Sequence, residues 1–385
     1  PSGHASDSVS VALGLAMARD LNGGDERIVT IIGDASLSGG MAFEALNQLG
    51  QLQTPMVIIL NDNEMSISRN VGALARYLGE KRASREYTRT RDSVQSVLEA
   101  SGPLGRGLVD LGRNAKDSFK QMVIPGEMLF EKLGITCTAP IPGHDIAALK
   151  RALRVCLKAD GPTLLHVVTK KGKGYEPAEE NPSKFHGIGP YDIATGEVKK
   201  GSSSAPKYTS VFSKAIVAEA ERDHDIVAIT AAMKDGTGLA AFSEKFPKRF
   251  IDTGIAEEHA VALASGLALG GKKPVVCIYS TFMQRAFDQL VINNALANTN
   301  VVFCLDRAGL VGDDGPTHHG VFDIVYGRMV PGVRMMAPSD EAELVHMLHT
   351  ALALEGPVIL RWPRGEARGV ELPAVPQVLE EGKSR

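Results

Sequence analysis

The chain has 385 residues, 44% of them hydrophobic and 5% aromatic, which is enough for two or three domains with ample core. A formal net charge of -3 with dispersed basic runs gives no polyanion-binding signal, so nucleic acid is not an expected partner. No apolar run approaches the length of a membrane span and no signal-peptide pattern opens the chain, which argues against a membrane partner and for a cytoplasmic protein.

Pro1-Ser2-Gly3-His4 lacks an initiator Met and runs almost at once into a motif, so the chain reads as a fragment of a longer protein. Apolar spacing predicts a helix over 9–21, a buried β-branched strand over 27–32, a helix over 41–49 and a strand over 56–60. From about 80 to 127 the chain turns charged and Gly-rich, as an insertion does, and a strand follows over 163–169. Residues 201–208, opening with Gly-Ser-Ser-Ser-Ala-Pro, form a flexible linker. A second block over 209–370 shows strands near 225–230, 275–279, 301–305 and 358–362, with an apolar helix over 260–269. Residues 371–385, Pro-rich and charged, look like the start of another linker, leading to a further domain. The alternation predicts two doubly wound α/β domains with mostly parallel sheets, the first over 1–200. Cys137, Cys156, Cys277 and Cys304 lie far apart in sequence without metal-ligand spacing, so buried free thiols in a reducing cytosol are expected.

Within that frame Asp34 and Asn63 stand out. Each falls at the end of one of two probable parallel strands, on the edge where α/β sheets bind ligands. With the Met65 carbonyl they offer hard oxygen donors, too few to cage a cation alone. That suits Mg²⁺, which completes its octahedron with waters and phosphate oxygens. A metal-bridged diphosphate site follows. The bland alternative is a strand-end Asp that caps a helix.

The Asp34 to Asn63 spacing, and four longer words, carry a resemblance. They are Gly39-Gly40-Met41-Ala42-Phe43-Glu44-Ala45-Leu46-Asn47, Asn61-Asp62-Asn63-Glu64-Met65-Ser66-Ile67-Ser68, Lys170-Lys171-Gly172-Lys173-Gly174-Tyr175-Glu176-Pro177-Ala178-Glu179 and Tyr279-Ser280-Thr281-Phe282-Met283-Gln284-Arg285-Ala286. From residue 3 to about 371 the sequence resembles the 1-deoxy-D-xylulose-5-phosphate synthase family of transketolase-like, thiamine-diphosphate-dependent enzymes. The resemblance implies condensation of pyruvate with D-glyceraldehyde 3-phosphate and loss of CO₂, by a homodimer using thiamine diphosphate and Mg²⁺, on the route to isoprenoids and thiamine. It implies that the two domains face each other across the cofactor.

It also implies site residues. Gly3, His4 and Ala5 match a cofactor-contacting motif, whose Ser6 or Asp7 is expected to cap the following helix. Asp34, Ala35, Ser36 and Asn63 match the diphosphate and metal motif, with Ala35 in place of the family's second glycine. If that backbone needs positive φ or a close approach of phosphate, the Cβ of Ala35 adds strain. Tyr175 matches a cofactor-contacting tyrosine, beside Lys173 in a Gly-rich loop. Glu257 matches the catalytic glutamate that bonds the aminopyrimidine, with Glu258 as a capping or surface neighbour. Phe282 and Arg285 match the pyrimidine pocket, and His186, Asp314 and His318 match polar groups near the reacting carbon. Tyr279, Arg307 and Arg364 match a clamp for the substrate phosphate, for which arginine forks are suited. Asp314 with His318 as a metal pair is a weak reading without a third ligand. Two alternatives stand beside the main one: another transketolase-like enzyme, and a non-catalytic cofactor-binding or dimerisation module.

Overall fold

The computed structural model describes residues 3–65, 70–83, 129–198 and 205–383. Most of the insertion predicted at about 80–127, and 201–204 of the predicted linker, lie outside the described residues. The chain divides into two compact units, His4–Lys199 and Lys200–Arg385.

In the first unit β1 (Val29–Gly33), β2 (Val57–Asp62), β3 (Thr136–Cys137), β4 (Ile141–Pro142) and β5 (Thr163–Val168) form one sheet. Its order is β1-β2-β5-β3, with β4 also on β5, and every pairing is parallel. Successive side chains of a strand point to opposite faces. Ile58, Leu60 and Leu164 accordingly enter a layer with Val9, Leu13 and Leu46 of the Ser8–Leu21 and Gly40–Leu52 helices. Val57, Leu165 and Val167 face Ala148 and Ala152 of the Ile146–Cys156 helix. One expectation fails here. The strand predicted as buried is β1, which among the described residues pairs only with β2, and its Ile31 is 65% exposed, because a run of β-branched residues cannot reveal a strand's place in its sheet.

The predicted helix cap also fails. Asp7 occupies the N-cap of the Ser8–Leu21 helix but makes no side-chain capping bond. Ser6, in left-handed backbone with φ 76°, donates its hydroxyl to the Ser36 carbonyl at 2.6 Å instead. That bond ties the opening segment to the turn after β1.

In the second unit β6 (Ile226–Thr230), β7 (Phe250–Asp252), β8 (Lys273–Tyr279), β9 (Val302–Asp306), β10 (Arg334–Met336) and β11 (Val358–Arg361) form a parallel sheet. Its order is β10-β11-β9-β8-β6-β7. Val275, Cys277, Val302, Cys304, Val358 and Leu360 face one layer, and Val276, Ile278, Phe303, Leu305 and Ile359 the other. The edges β7 and β10, three residues each, had no counterpart in the predicted elements. The chain leaves β6 for β7 on one side and returns to β8 on the other, so the strand order reverses at β6 and β8, the place where open α/β sheets bind ligands. The helix predicted over 260–269 begins three residues earlier, at Glu257, which puts Glu257 and Glu258 in its first turn.

All four cysteines are buried and free, and Cys277 and Cys304, distant in sequence, stand opposite each other on β8 and β9. Among the described residues no helix is long and apolar enough to cross a membrane.

Candidate active site

The carboxyl ends of β1, β2 and β5 gather the first group of side chains. Asp34 directly follows β1 and does not cap the next helix, whose N-cap Gly39 receives no side-chain bond. Its Oδ1 accepts the Ala35 N–H at 3.1 Å, and its Oδ2 accepts the Glu64 N–H at 2.9 Å and the Asn70 Nδ2–H at 2.8 Å. The carboxyl thus reaches across to the loop after β2 and draws the two strand ends together. Burial, then the charge of Asp62 and a hydrogen bond with it, pushes Asp34 up to about 6. Asn63 Oδ1 accepts the Met65 N–H at 3.0 Å, which folds the loop back on itself. Asp34, Asp62, Glu64, Asn70 and Arg76 line a cleft of about 290 Å³. Asn70 Oδ1, buried there, has no hydrogen-bond partner among the described residues.

Ala35 has φ -65° and ψ -42°, ordinary right-handed helical backbone. The expected strain at a missing glycine is therefore absent, since an alanine adopts this conformation freely. Ser36 opens the short turn Ser36–Ser38, and its carbonyl receives the Ser6 hydroxyl. Gly3, His4 and Ala5 are half-buried just ahead of the first helix.

Tyr175 lies after β5, where its hydroxyl donates to the Ile193 carbonyl at 2.8 Å and its ring meets Phe185 edge-on. Lys170 and Lys173 pair with Glu179 in that loop. His186 Nδ1 lies 2.9 Å from Lys171 Nζ. Burial, then the lysine's charge, holds the imidazole below its usual pKa. Burial lowers the pKa of Lys171, and the charge of Asp34 opposes that shift.

The second unit gathers the rest at the carboxyl ends of β7, β8, β9 and β11. Glu257 is 3% exposed, and its carboxyl accepts from Arg285 at 3.1 Å. Burial raises its pKa and Arg285 opposes that shift. Phe282 stacks on Tyr279 with ring centres 5.7 Å apart, and His318 meets it edge-on at 5.4 Å. The Arg307 guanidinium lies over the other ring of that stack, 3.9 Å from the centre of Tyr279. Asp314 joins the two arginines, with one carboxylate oxygen 2.7 Å from Arg307 and the other 2.5 Å from Arg364. Asp314 is thus held by the predicted clamp and stands apart from His318, whose Nδ1 lies 3.0 Å from the Thr317 hydroxyl. The metal-pair reading has no support, and among the described residues no three carboxylate, imidazole or thiol groups cluster to hold a metal.

Two family models match. One, described as 1-deoxy-D-xylulose-5-phosphate synthase, covers residues 1–169. The other, described as the transketolase pyrimidine binding domain, covers residues 204–370. The 1-deoxy-D-xylulose-5-phosphate synthase of Syntrophomonas wolfei is 51% identical over 384 residues, spanning 100% of this chain and 60% of the relative. Its counterpart in Desulforudis audaxviator is 53% identical over 388 residues, spanning 99% of this chain and 61% of the relative. The chain belongs to the 1-deoxy-D-xylulose-5-phosphate synthase family. It spans about 60% of the length of the curated relatives it matches.

Several groups at these sites escaped sequence reading in a member of this synthase family. Lys171, Asn70, Asp62 and His166 make polar contacts around Asp34 and His186 that no spacing rule announces. Asp62 and Lys171 lay inside recognised words, and position beside a motif residue was the available signal. His166, in the middle of an apolar strand, offered none.

Proposed function

We propose that this chain carries the cofactor- and substrate-binding residues of a thiamine-diphosphate- and Mg²⁺-dependent transferase that condenses pyruvate with D-glyceraldehyde 3-phosphate to 1-deoxy-D-xylulose 5-phosphate and CO₂. The observation that carries the reading is Glu257, a carboxyl buried in the first turn of its helix and paired with Arg285, in a chain of this family. Burial raises its pKa, the direction that favours the protonated carboxyl a ring nitrogen can accept from.

The donor set after β1 and β2 fits a hard divalent cation. It is made of oxygens only: the Asp34 carboxyl, the Asn63 amide, the Met65 carbonyl and the nearby Asn70 Oδ1, which lacks a partner among the described residues. In this reading Asp34, Asn63 and Met65 hold Mg²⁺, and Gly3, His4, Ala5, Ala35, Ser36 and Tyr175 border the diphosphate. Glu257, Phe282 and Arg285 border the pyrimidine. The bound cofactor supplies an electron sink for decarboxylation. Tyr279, Arg307 and Arg364 bind the phosphate of the acceptor, while His186, Asp314 and His318 orient polar groups near the reacting carbon. The homodimer and the cytoplasmic location belong to the same reading and rest on family membership.

The test is the exchange rate of the thiazolium ring proton, measured by NMR on cofactor bound to the full chain. Glu257→Gln slows exchange by about 10²–10⁴-fold, the usual cost of losing a positioned proton-transfer group. Glu258→Ala leaves it near the parent rate. Equal effects of the two substitutions would overturn the assignment, and cofactor binding without exchange in the parent would favour a non-catalytic module.

A further inference from the structure

Behind Asp34 lies a buried pair to which the proposed function gives no role. Asp62, the last residue of β2, is 1% exposed, and its Oδ2 sits 2.8 Å from Nε2 of the fully buried His166 on β5. His166 is fixed in turn, since its backbone N–H donates to the Thr138 hydroxyl at 3.2 Å. The Asp62 carboxyl lines the same cleft as that of Asp34. Sheet geometry sets this row. β2 lies between β1 and β5, so a side chain at its carboxyl end reaches the strand end on one side and the β5 imidazole on the other.

Two carboxyls this close in a buried place repel each other, and a buried polar pair costs stability relative to apolar residues of the same volume. A cation placed against Asp34 reverses the sign of that electrostatic cost. Residues that orient a metal ligand and tune its charge are commonly carboxylates and histidines one step removed from the metal.

We propose that Asp62 and His166 are positioning residues for the divalent cation at Asp34: His166 fixes the Asp62 carboxyl, and Asp62 orients the Asp34 carboxyl and adds negative charge behind it. The inference rests on the assignment of Asp34 as a metal ligand made above, and it extends the site by two residues outside the proposed donor set.

The test uses Mn²⁺ as the probe, titrated into the full chain with thiamine diphosphate present and followed by the electron paramagnetic resonance of free Mn²⁺. Asp62→Asn, nearly isosteric, weakens Mn²⁺ binding about 10–100-fold, the usual cost of losing such a partner. His166→Leu does the same, and His166→Gln, which keeps an N–H donor within reach of Asp62, restores most of the affinity. A purely structural pair would lower the melting temperature and leave Mn²⁺ affinity alone, which would overturn the proposal. If His166→Leu does not fold, the Asp62→Asn titration decides alone. Asp34→Ala separates the two levels. Retained Mn²⁺ affinity in Asp34→Ala overturns the metal assignment and this inference with it, whereas loss there with parent-like affinity in Asp62→Asn overturns this inference only.

Discussion

Ala35 stands where the resemblance implies a glycine, yet its φ of -65° asks nothing that alanine cannot give. Ala35→Gly should therefore bring no relief of strain. It should lower stability by about 0.5–1 kcal/mol through the added freedom of the unfolded chain, read in urea unfolding. Arg307 is the opposite case, a non-glycine residue with φ 61° directly after β9. That left-handed turn, costing on the order of 1 kcal/mol, puts the guanidinium on the Tyr279 ring and within reach of Asp314. Arg307→Lys keeps the charge and loses the planar fork. On the proposed function, affinity for glyceraldehyde 3-phosphate should fall roughly 10–100-fold, the worth of one charge-assisted hydrogen bond, measured by titration of the cofactor-loaded protein.

The neighbouring Asp306 links a residue to pH. Burial pushes its carboxyl up to about 6, against hydrogen bonds from the Thr209 hydroxyl and the Arg307 N–H. A carboxyl with a raised folded pKa takes up a proton on folding. Its contribution to stability is thus most favourable below its ordinary pKa and is lost as pH rises to about 6. Asp306→Asn removes that dependence. Its stability relative to the parent should climb by on the order of 2 kcal/mol between pH 4 and pH 6, as seen in denaturant midpoints, and then level off. A difference that stays flat across this range would show that Asp306 does not titrate there.

At the scale of elements, the Glu341–Ala353 helix holds the chain's outgoing segment through its first residue. Glu341 is fully buried, and its carboxylate accepts the N–H groups of Arg368, Gly369 and Val370 at 3.1, 2.6 and 2.9 Å. Burial works to raise its pKa, but the backbone donors prevail and hold it below the ordinary value. Stability from this contact is present above that ordinary value and is lost as pH falls through the lowered one. Glu341→Ala should cost about 2–3 kcal/mol and speed amide hydrogen exchange at residues 368–370 selectively. Helix and strand positions were legible in sequence where apolar runs were long, as for β2, β8 and β9. The edges β7 and β10 were not, because three half-buried residues carry neither a run nor an alternation. The apolar pattern set the start of the Glu257 helix three residues late, since two glutamates interrupt it, although acids favour that end of a helix and Glu258 was expected to cap there.

At the scale of the whole molecule, each unit owns two apolar layers, one on either face of its sheet. Phe212 stacks on Trp362 with ring centres 4.7 Å apart in the second unit, and both rings are fully buried. Phe212→Ala should cost about 3–5 kcal/mol, with exchange protection lost chiefly in β6, β8, β9 and β11. Leu46→Ala, in the first unit, should cost about 2–5 kcal/mol and deprotect β1, β2 and β5 instead. Hydrogen exchange with mass readout distinguishes the two patterns.

The sequence by itself determined the α/β class, the family, and which strand ends carry Asp34, Asn63, Tyr279 and Arg307. These are local facts: a strand's apolar run and the residue that follows it are neighbours along the chain. Only the tertiary structure decided that β1 pairs with β2 alone among the described residues, that Asp314 bridges Arg307 and Arg364, and that His166 stands behind Asp62. His166 lies 104 positions from Asp62, and no periodicity spans that distance. The pair exists because parallel pairing of β2 with β5 sets Leu60 opposite His166 and Asp62 opposite Val168, a register fixed by the packing of the whole sheet.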